Sequence, residues 1–97
     1  MNYENIKTPL KEYILSISDN LFNSLDVEIC NCSSVKHITF KVDLNWDKLD
    51  CNHHPVFCLN NKFTKDIQVF FKMICPKSNG FFNFYITNYP SQDYFLY

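Results

Sequence analysis

The residues between Cys51 and Cys58 combine the side chains that most often ligate zinc in proteins. The stretch reads CNHHPVFC, with His53 and His54 between the two cysteines. Zinc takes four sulfur or nitrogen ligands, and structural sites commonly use two cysteines separated by two residues on a tight turn. No cysteine pair in this sequence has that spacing, so we expect no bound metal or other cofactor. The alternative is a zinc-stabilised interaction module with ligands drawn from Cys30, Cys32, Cys51, His54 and Cys58.

The same stretch could supply a nucleophilic cysteine with a histidine base. Such pairs form by convergence in space, so adjacency in sequence is no evidence for one. The carboxylates of Asp43, Asp47 and Asp50 do not have the spacing of a calcium loop. With 1 glycine in the chain, a glycine-rich phosphate loop is excluded. We therefore expect a protein that is not an enzyme.

The overall composition is that of one small folded domain, residues 1–97. Hydrophobic residues make up 46% of the chain and aromatic residues 18%, more than disordered segments carry. The formal net charge is −1, so the chain as a whole has no electrostatic attraction to nucleic acid or to an anionic membrane. Partners of both classes are therefore disfavoured.

The residue types that dominate the chain indicate an AT-rich genome. The sequence has 12 Asn, 9 Lys and 10 Phe but neither Ala nor Arg, and the abundant types have A/T-rich codons. The N-terminal residues contain no uninterrupted apolar run of the length that a signal peptide or a membrane span requires. We therefore expect a cytoplasmic protein, in the host cytosol or nucleus if it is viral, with all 5 cysteines reduced.

The N-terminal region predicts an amphipathic helix over residues 8–23. Thr8 followed by Pro9 fits an N-cap and a first helical residue. Apolar residues then recur at spacings of three and four, which places them on one stripe: Leu10, Tyr13, Ile14, Ile17 and Leu21. A stripe of this kind requires a surface to pack on.

The remainder of the chain predicts strands. Apolar and polar residues alternate over 36–46, and the run 26–32 would pair with it as a first hairpin through Val27 and Ile29. A second hairpin is predicted over 66–75 and 81–89 with Asn79 and Gly80 in its turn, preceded by a short strand over 55–60. The predicted fold is α+β, one N-terminal amphipathic helix packed on a mainly antiparallel meander of about five strands.

One face of the predicted second hairpin is rich in aromatic side chains. It carries Phe70, Ile74, Phe81, Tyr85 and Tyr89, with Lys72 at its rim. Such rings are either covered by loops and the C-terminal residues, or exposed to dock a protein partner or a second copy as a homodimer. The exposed arrangement leads to our functional hypothesis: a small non-enzymatic protein-binding domain. We expect it to be an inhibitor or regulator of a host macromolecule, encoded by an AT-rich virus, phage or mobile element.

A sheet that binds single-stranded nucleic acid is the remaining alternative. Such sheets stack bases on aromatic rings beside basic side chains, and the predicted hairpin offers both: Phe70, Phe81 and Tyr85 with Lys65, Lys72 and Lys77. The order of one helix followed by strands differs from that of an RNA-recognition motif, and the charge balance is unfavourable. This alternative therefore ranks below protein binding.

Overall fold

The computed structural model describes residues 4–32, 35–51 and 54–89. Its elements are α1 (Glu4–Ile17), β1 (Phe22–Cys32), β2 (Val35–Leu44), a 3₁₀ turn (Trp46–Lys48), α2 (Pro55–Ile74) and β3 (Asn79–Ile86). The strands form one sheet in the order β1-β2-β3, with β1 antiparallel and β3 parallel to β2. The predicted α+β class and the N-terminal helix are confirmed. The predicted antiparallel meander of about five strands is replaced, within the described residues, by a mixed sheet of three.

Helix α1 begins at Glu4, so the predicted N-cap at Thr8 is wrong and Pro9 lies inside the helix. A proline there removes one backbone N–H from the helical hydrogen-bond ladder. Leu10 and Ile14 lie one turn apart on the same face and are fully buried against the core. Burial of that apolar face stabilises the helix in spite of the proline.

The end of α1 also differs from the prediction. The helix stops at Ile17, and Asp19 and Asn20 follow with φ of 52° and 62°. Asp and Asn adopt this left-handed region more readily than other residues that have a Cβ. The Leu21 N–H donates to the Ser18 carbonyl at 3.0 Å, so Leu21 is buried by the turn and does not belong to the helical stripe.

The first predicted hairpin is confirmed. Val27 pairs with Phe40 and Ile29 with Ile38 across β1 and β2. β1 nevertheless begins at Phe22, before the predicted start at 26. The alternation of apolar and polar residues does not reveal this earlier start, because the register of the first residues is irregular. Phe22 pairs with Leu44 but Ser24 pairs with Asp43, so β1 contributes one extra residue, as in a β-bulge.

Residues 55–60 and 66–75 are helical, so both strands predicted there are wrong. They belong to the 20 residues of α2, which starts with Pro55 after the N-cap residue His54. The His54 side chain accepts a hydrogen bond from the Val56 N–H at 3.3 Å. The buried residues of α2 recur every four positions, the spacing of one helical face: Pro55, Leu59, Phe63, Ile67 and Phe71.

Strand β3 replaces the predicted strand 81–89 and pairs with β2 instead of with residues 66–75. Its partners include Ile38 for Phe82 and Phe40 for Phe84. Parallel pairing requires a long connection that returns the chain to the start of the sheet. α2, which lies between β2 and β3 in the sequence, supplies this connection. Both helices contribute to one buried cluster with one side of the sheet. Among the described residues, no helix combines the length and the hydropathy needed to cross a membrane.

Candidate functional site

The side of the sheet opposite the helices is here called the open face. Side chains alternate between the two sides of a strand, and the alternate set that includes Ile38, Phe40 and Val42 is buried under the helices. The other set forms the open face, which comprises Ser24, Asp26, Glu28 and Cys30 of β1, His37, Thr39, Lys41 and Asp43 of β2, and Phe81, Asn83 and Tyr85 of β3.

Two large aromatic side chains stand on the β3 side of the open face. Phe81 is 62% exposed and Tyr85 is 58% exposed. They are four residues apart on one strand, so they share a face with one residue between them. The His37 ring lies 5.5 Å from the Phe81 ring, centroid to centroid. Phe81 and Tyr85 therefore form an aromatic stripe that continues onto β2 through His37.

The β1 side of the open face is acidic. Glu28 Oε1 contacts Lys41 Nζ at 2.7 Å. The hydrogen bond to Glu28, with the attraction of that carboxylate and of Asp26, raises the pKa of the Lys41 ammonium above its ordinary value. Asp26, Glu28 and Asp43 carry three carboxylates against the single ammonium of Lys41 on this face. The open face therefore combines an aromatic half with a half of net negative charge.

The structure separates the other residues of the predicted aromatic face from Phe81 and Tyr85. Phe70 lies on α2 and stacks on Tyr13 of α1, with ring centroids 4.3 Å apart. Ile74 also lies on α2 and packs against the core. Lys72 Nζ donates to the Ser78 carbonyl at 2.9 Å and to Asn79 Oδ1 at 3.2 Å. These three residues therefore belong to α2 and its contacts, because 66–75 is a helix and not a strand.

Tyr89 follows β3 at one end of the sheet. Its ring centroid lies 5.8 Å from that of Trp46 and 6.4 Å from that of His54. Burial raises the pKa of the Tyr89 hydroxyl above its ordinary value of 10.0, and the charge of Tyr85 raises it further. Trp46 Nε1 donates to the Asn88 carbonyl at 2.8 Å. Tyr89 therefore belongs to a cluster at the edge of the open face and not to its centre.

Asn88 links the end of β3 to the end of β2 through its side chain. Its Oδ1 accepts from the Leu44 N–H at 2.7 Å, and its Nδ2 donates to the Leu44 carbonyl at 2.8 Å and to Asp43 Oδ1 at 2.9 Å. The side chain thereby continues the pairing of β3 with β2 beyond the last strand residue. No periodicity or motif in the sequence marks such a residue.

Cys51 and Cys58 form a disulfide, with their Cα atoms 6.3 Å apart. The expectation that all the cysteines are reduced is wrong for this pair, because the start of α2 brings Cys58 within bonding reach of Cys51. Disulfide-bonded cysteines are not thiolate ligands, so the alternative zinc set loses two of its members. Cys30 is exposed on the open face, whereas His53 and the side chain of Cys32 lie outside the described residues. The parts of the chain that the structure describes contain no cluster of three or more His, Cys, Asp or Glu that could hold a metal ion.

No family model, curated protein sequence or solved structure matches this chain. The functional proposal therefore depends on the chemistry of the molecule's own surfaces.

Proposed function

We propose that the protein is a small non-enzymatic binding module that docks a partner protein on the open face. The observation that carries the proposal is the exposure of Phe81 and Tyr85 on the same strand of a sheet face that neither α1 nor α2 covers. Aromatic side chains are enriched at the centres of protein interfaces, where they bury a large area at low entropic cost. On the helix-covered face, by contrast, the β3 residues Phe84 and Ile86 are buried.

The charges of the open face define the partner. Asp26, Glu28 and Asp43 carry negative charge beside the aromatic stripe, and Lys41 is already paired with Glu28. A partner surface with an apolar centre and Lys or Arg side chains at its rim is complementary to this arrangement. Phosphate groups are not, because the carboxylates of the open face would repel them. The geometry therefore supports a basic protein surface over single-stranded nucleic acid.

Inhibition or regulation of a host macromolecule is the role that we propose for such a module. A small domain that covers a partner's surface can block that surface without chemistry of its own. The AT-rich composition supports a virus, a phage or a mobile element as the source. A second copy bound through the same face is the competing arrangement, and it predicts a homodimer in place of a foreign complex.

Affinity capture with matched variants tests the proposal. Phe81→Asp and Tyr85→Asp place a charge within the aromatic stripe of the open face and should each abolish capture of the partner. Met73→Asp is the control, because Met73 is 74% exposed on α2 and does not belong to the open face. Circular dichroism establishes that each variant is folded, and an assay of the partner's own activity with and without the protein tests inhibition.

Three outcomes would contradict the proposal. The first is a partner that both open-face variants retain at the wild-type level. The second is a captured species that nuclease treatment removes. The third is a homodimer, seen by native mass spectrometry of wild type and lost in Phe81→Asp, which would make a second copy the occupant of the open face.

A further inference from the structure

β3 has a second exposed feature, the edge that does not pair with β2, which we call the free edge. Within the described residues, no strand lies on that side of β3. The Thr87 N–H donates to the Val42 carbonyl at 2.9 Å, and successive residues of a strand direct their backbone groups to opposite edges. Gly80, Phe82 and Phe84 therefore direct their backbone N–H and C=O groups to the free edge, where they can pair with another extended chain.

A groove lies between the free edge and α2. It has a volume of about 510 Å³, within the range of ligand-binding clefts, and Gln68, Val69, Phe71, Lys72, Asn79, Gly80 and Phe82 line it. Val69 is 59% exposed on one wall. The Phe71 and Phe82 rings form the floor and lie close to Gly80. A Cβ atom added to Gly80 would lie 2.6 Å from Phe82 Cζ and 3.1 Å from Phe71 Cε2. The groove therefore offers apolar contacts directly beside unpaired backbone groups.

One end of the groove is basic. Lys72 Nζ donates to the Ser78 carbonyl and Lys36 Nζ to Ser78 Oγ, at 2.9 and 3.2 Å. Lys77 precedes Ser78 in the chain. None of the residues that line the groove carries a carboxylate. The full positive charge of Lys72 exceeds the roughly half charge of opposite sign at the C-terminal end of α2. An acidic group at this end of the groove would therefore be stabilised.

We propose that the groove binds an extended peptide segment of another protein, which pairs with the free edge of β3 as an added strand. The peptide places apolar side chains against Val69 and Phe82 and an acidic side chain beside Lys72. Backbone hydrogen bonds supply affinity in this mode of binding, and the alternate side chains supply specificity. β3 itself has no acidic residue, so the β3 edge of a second copy does not meet the charge requirement. This site uses a different edge and different side chains from the open face and does not depend on the proposed function.

Selection from a phage-displayed library of random nine-residue peptides, against the immobilised full chain, tests the proposal. Enriched peptides should alternate apolar residues, include an acidic residue and lack proline at their centre. The most enriched peptide, synthesised with a fluorophore, then serves as the probe. Lys72→Glu should weaken its binding by about fivefold, the upper end of the scale for one exposed ion pair, and Val69→Asp should weaken it comparably. Leu15→Asp, on α1 and away from the groove, is the control and should leave the affinity within about twofold.

Amide hydrogen exchange provides a readout of the backbone pairing. In the free protein the Gly80 and Phe82 amides should exchange faster than those of Asn83 and Tyr85, which face β2. Binding of the probe should slow exchange at Gly80 and Phe82. The proposal is overturned if the library yields no enriched peptide, if the probe's affinity is unchanged in both groove variants, or if protection appears elsewhere. A concentration-dependent dimer that Lys72→Glu dissociates would also overturn it, since the occupant would then be a second copy.

Discussion

Replacing Asn88 by alanine removes the side chain that joins the end of β3 to β2. Asn88 makes two hydrogen bonds to the backbone of Leu44 and one to the Asp43 carboxylate. The side chain therefore acts as an additional strand residue after β3 has ended at Ile86. The backbone carbonyl of Asn88 also accepts a hydrogen bond from Trp46 Nε1. The same residue therefore holds the aromatic cluster of Trp46 and Tyr89 against the sheet.

The expected magnitude follows from the three side-chain hydrogen bonds. Each contributes a net of about 0.5–1.5 kcal/mol to stability, with bonds to charged groups at the upper end. Water can reach this partly buried end of the sheet and replaces part of the loss, so we expect Asn88→Ala to lower the free energy of unfolding by about 2–3 kcal/mol. For a domain of this size, each kcal/mol corresponds to about 4–8 °C, so the melting temperature should fall by roughly 10–20 °C.

Urea unfolding followed by Trp46 fluorescence measures this effect, with thermal unfolding by circular dichroism as a second probe. Asn83→Ala is the matched control, because Asn83 is an exposed asparagine of β3 and its loss should change stability by about 0.5 kcal/mol or less. Asn88→Asp keeps the shape but sets a second carboxylate against Asp43, so it should also be less stable than wild type. If Asn88→Ala is as stable as the Asn83→Ala control, the account of Asn88 as an added strand residue is refuted.

Three further perturbations give expected outcomes. Cys51→Ser removes the disulfide, which joins residues 7 positions apart in sequence, and should lower the free energy of unfolding by about 2 kcal/mol in urea without reductant. If the variant is still less stable than wild type in excess dithiothreitol, the loss of the disulfide is not the cause. Gly80→Ala forces the Phe82 ring to move and should lower stability by about 1 kcal/mol in thermal unfolding, whereas an unchanged melting temperature would show that the ring yields freely. The raised pKa of Tyr89 favours its neutral form, so its contribution to stability is complete below the ordinary tyrosine pKa and is lost as the pH rises through the higher folded value. Tyr89→Phe should remove a component of the ultraviolet tyrosine titration that ionises above the ordinary tyrosine pKa, and an unaltered curve would contradict this expectation.

The spacing of apolar residues explains why the first hairpin was predictable and why α2 was not. In β2 the apolar residues at 38, 40, 42 and 44 alternate without exception with polar residues, which is the pattern of a strand. Over 66–75, Ile67 and Phe71 fit both periods, because four is a multiple of two and also close to one helical turn. Val69 and Met73 complete an apparent strand face, yet both are exposed in the helix. Two signals favoured a helix, namely Pro55 at its first position and 20 residues with neither glycine nor an internal proline.

The candidate site was predictable only where it lies within one strand. Phe81 and Tyr85 share a face because four residues along β3 return to the same side. The prediction that places Phe70 and Ile74 on the same face assumes a strand over 66–75, and the helix places Phe70 against Tyr13 instead. The bonds of Asn88 to Leu44 depend on the parallel placement of β3 beside β2, which is a long-range property that local periodicity does not encode.

The parallel placement of β3 explains why one strand carries both proposed surfaces. An antiparallel neighbour of β2 could have followed through a tight turn, but a parallel one requires a crossover. That crossover is α2, which packs on the same side of the sheet as α1. Both helices of the described residues therefore cover the same side, and Phe81 and Tyr85 are exposed on the other. Because β3 is also the last strand in the sheet, its free edge lies next to α2, where a groove with an apolar floor forms beside unpaired backbone groups. The open face and the groove thus have a common origin in the topology, while their separate side chains allow each to be disabled without the other.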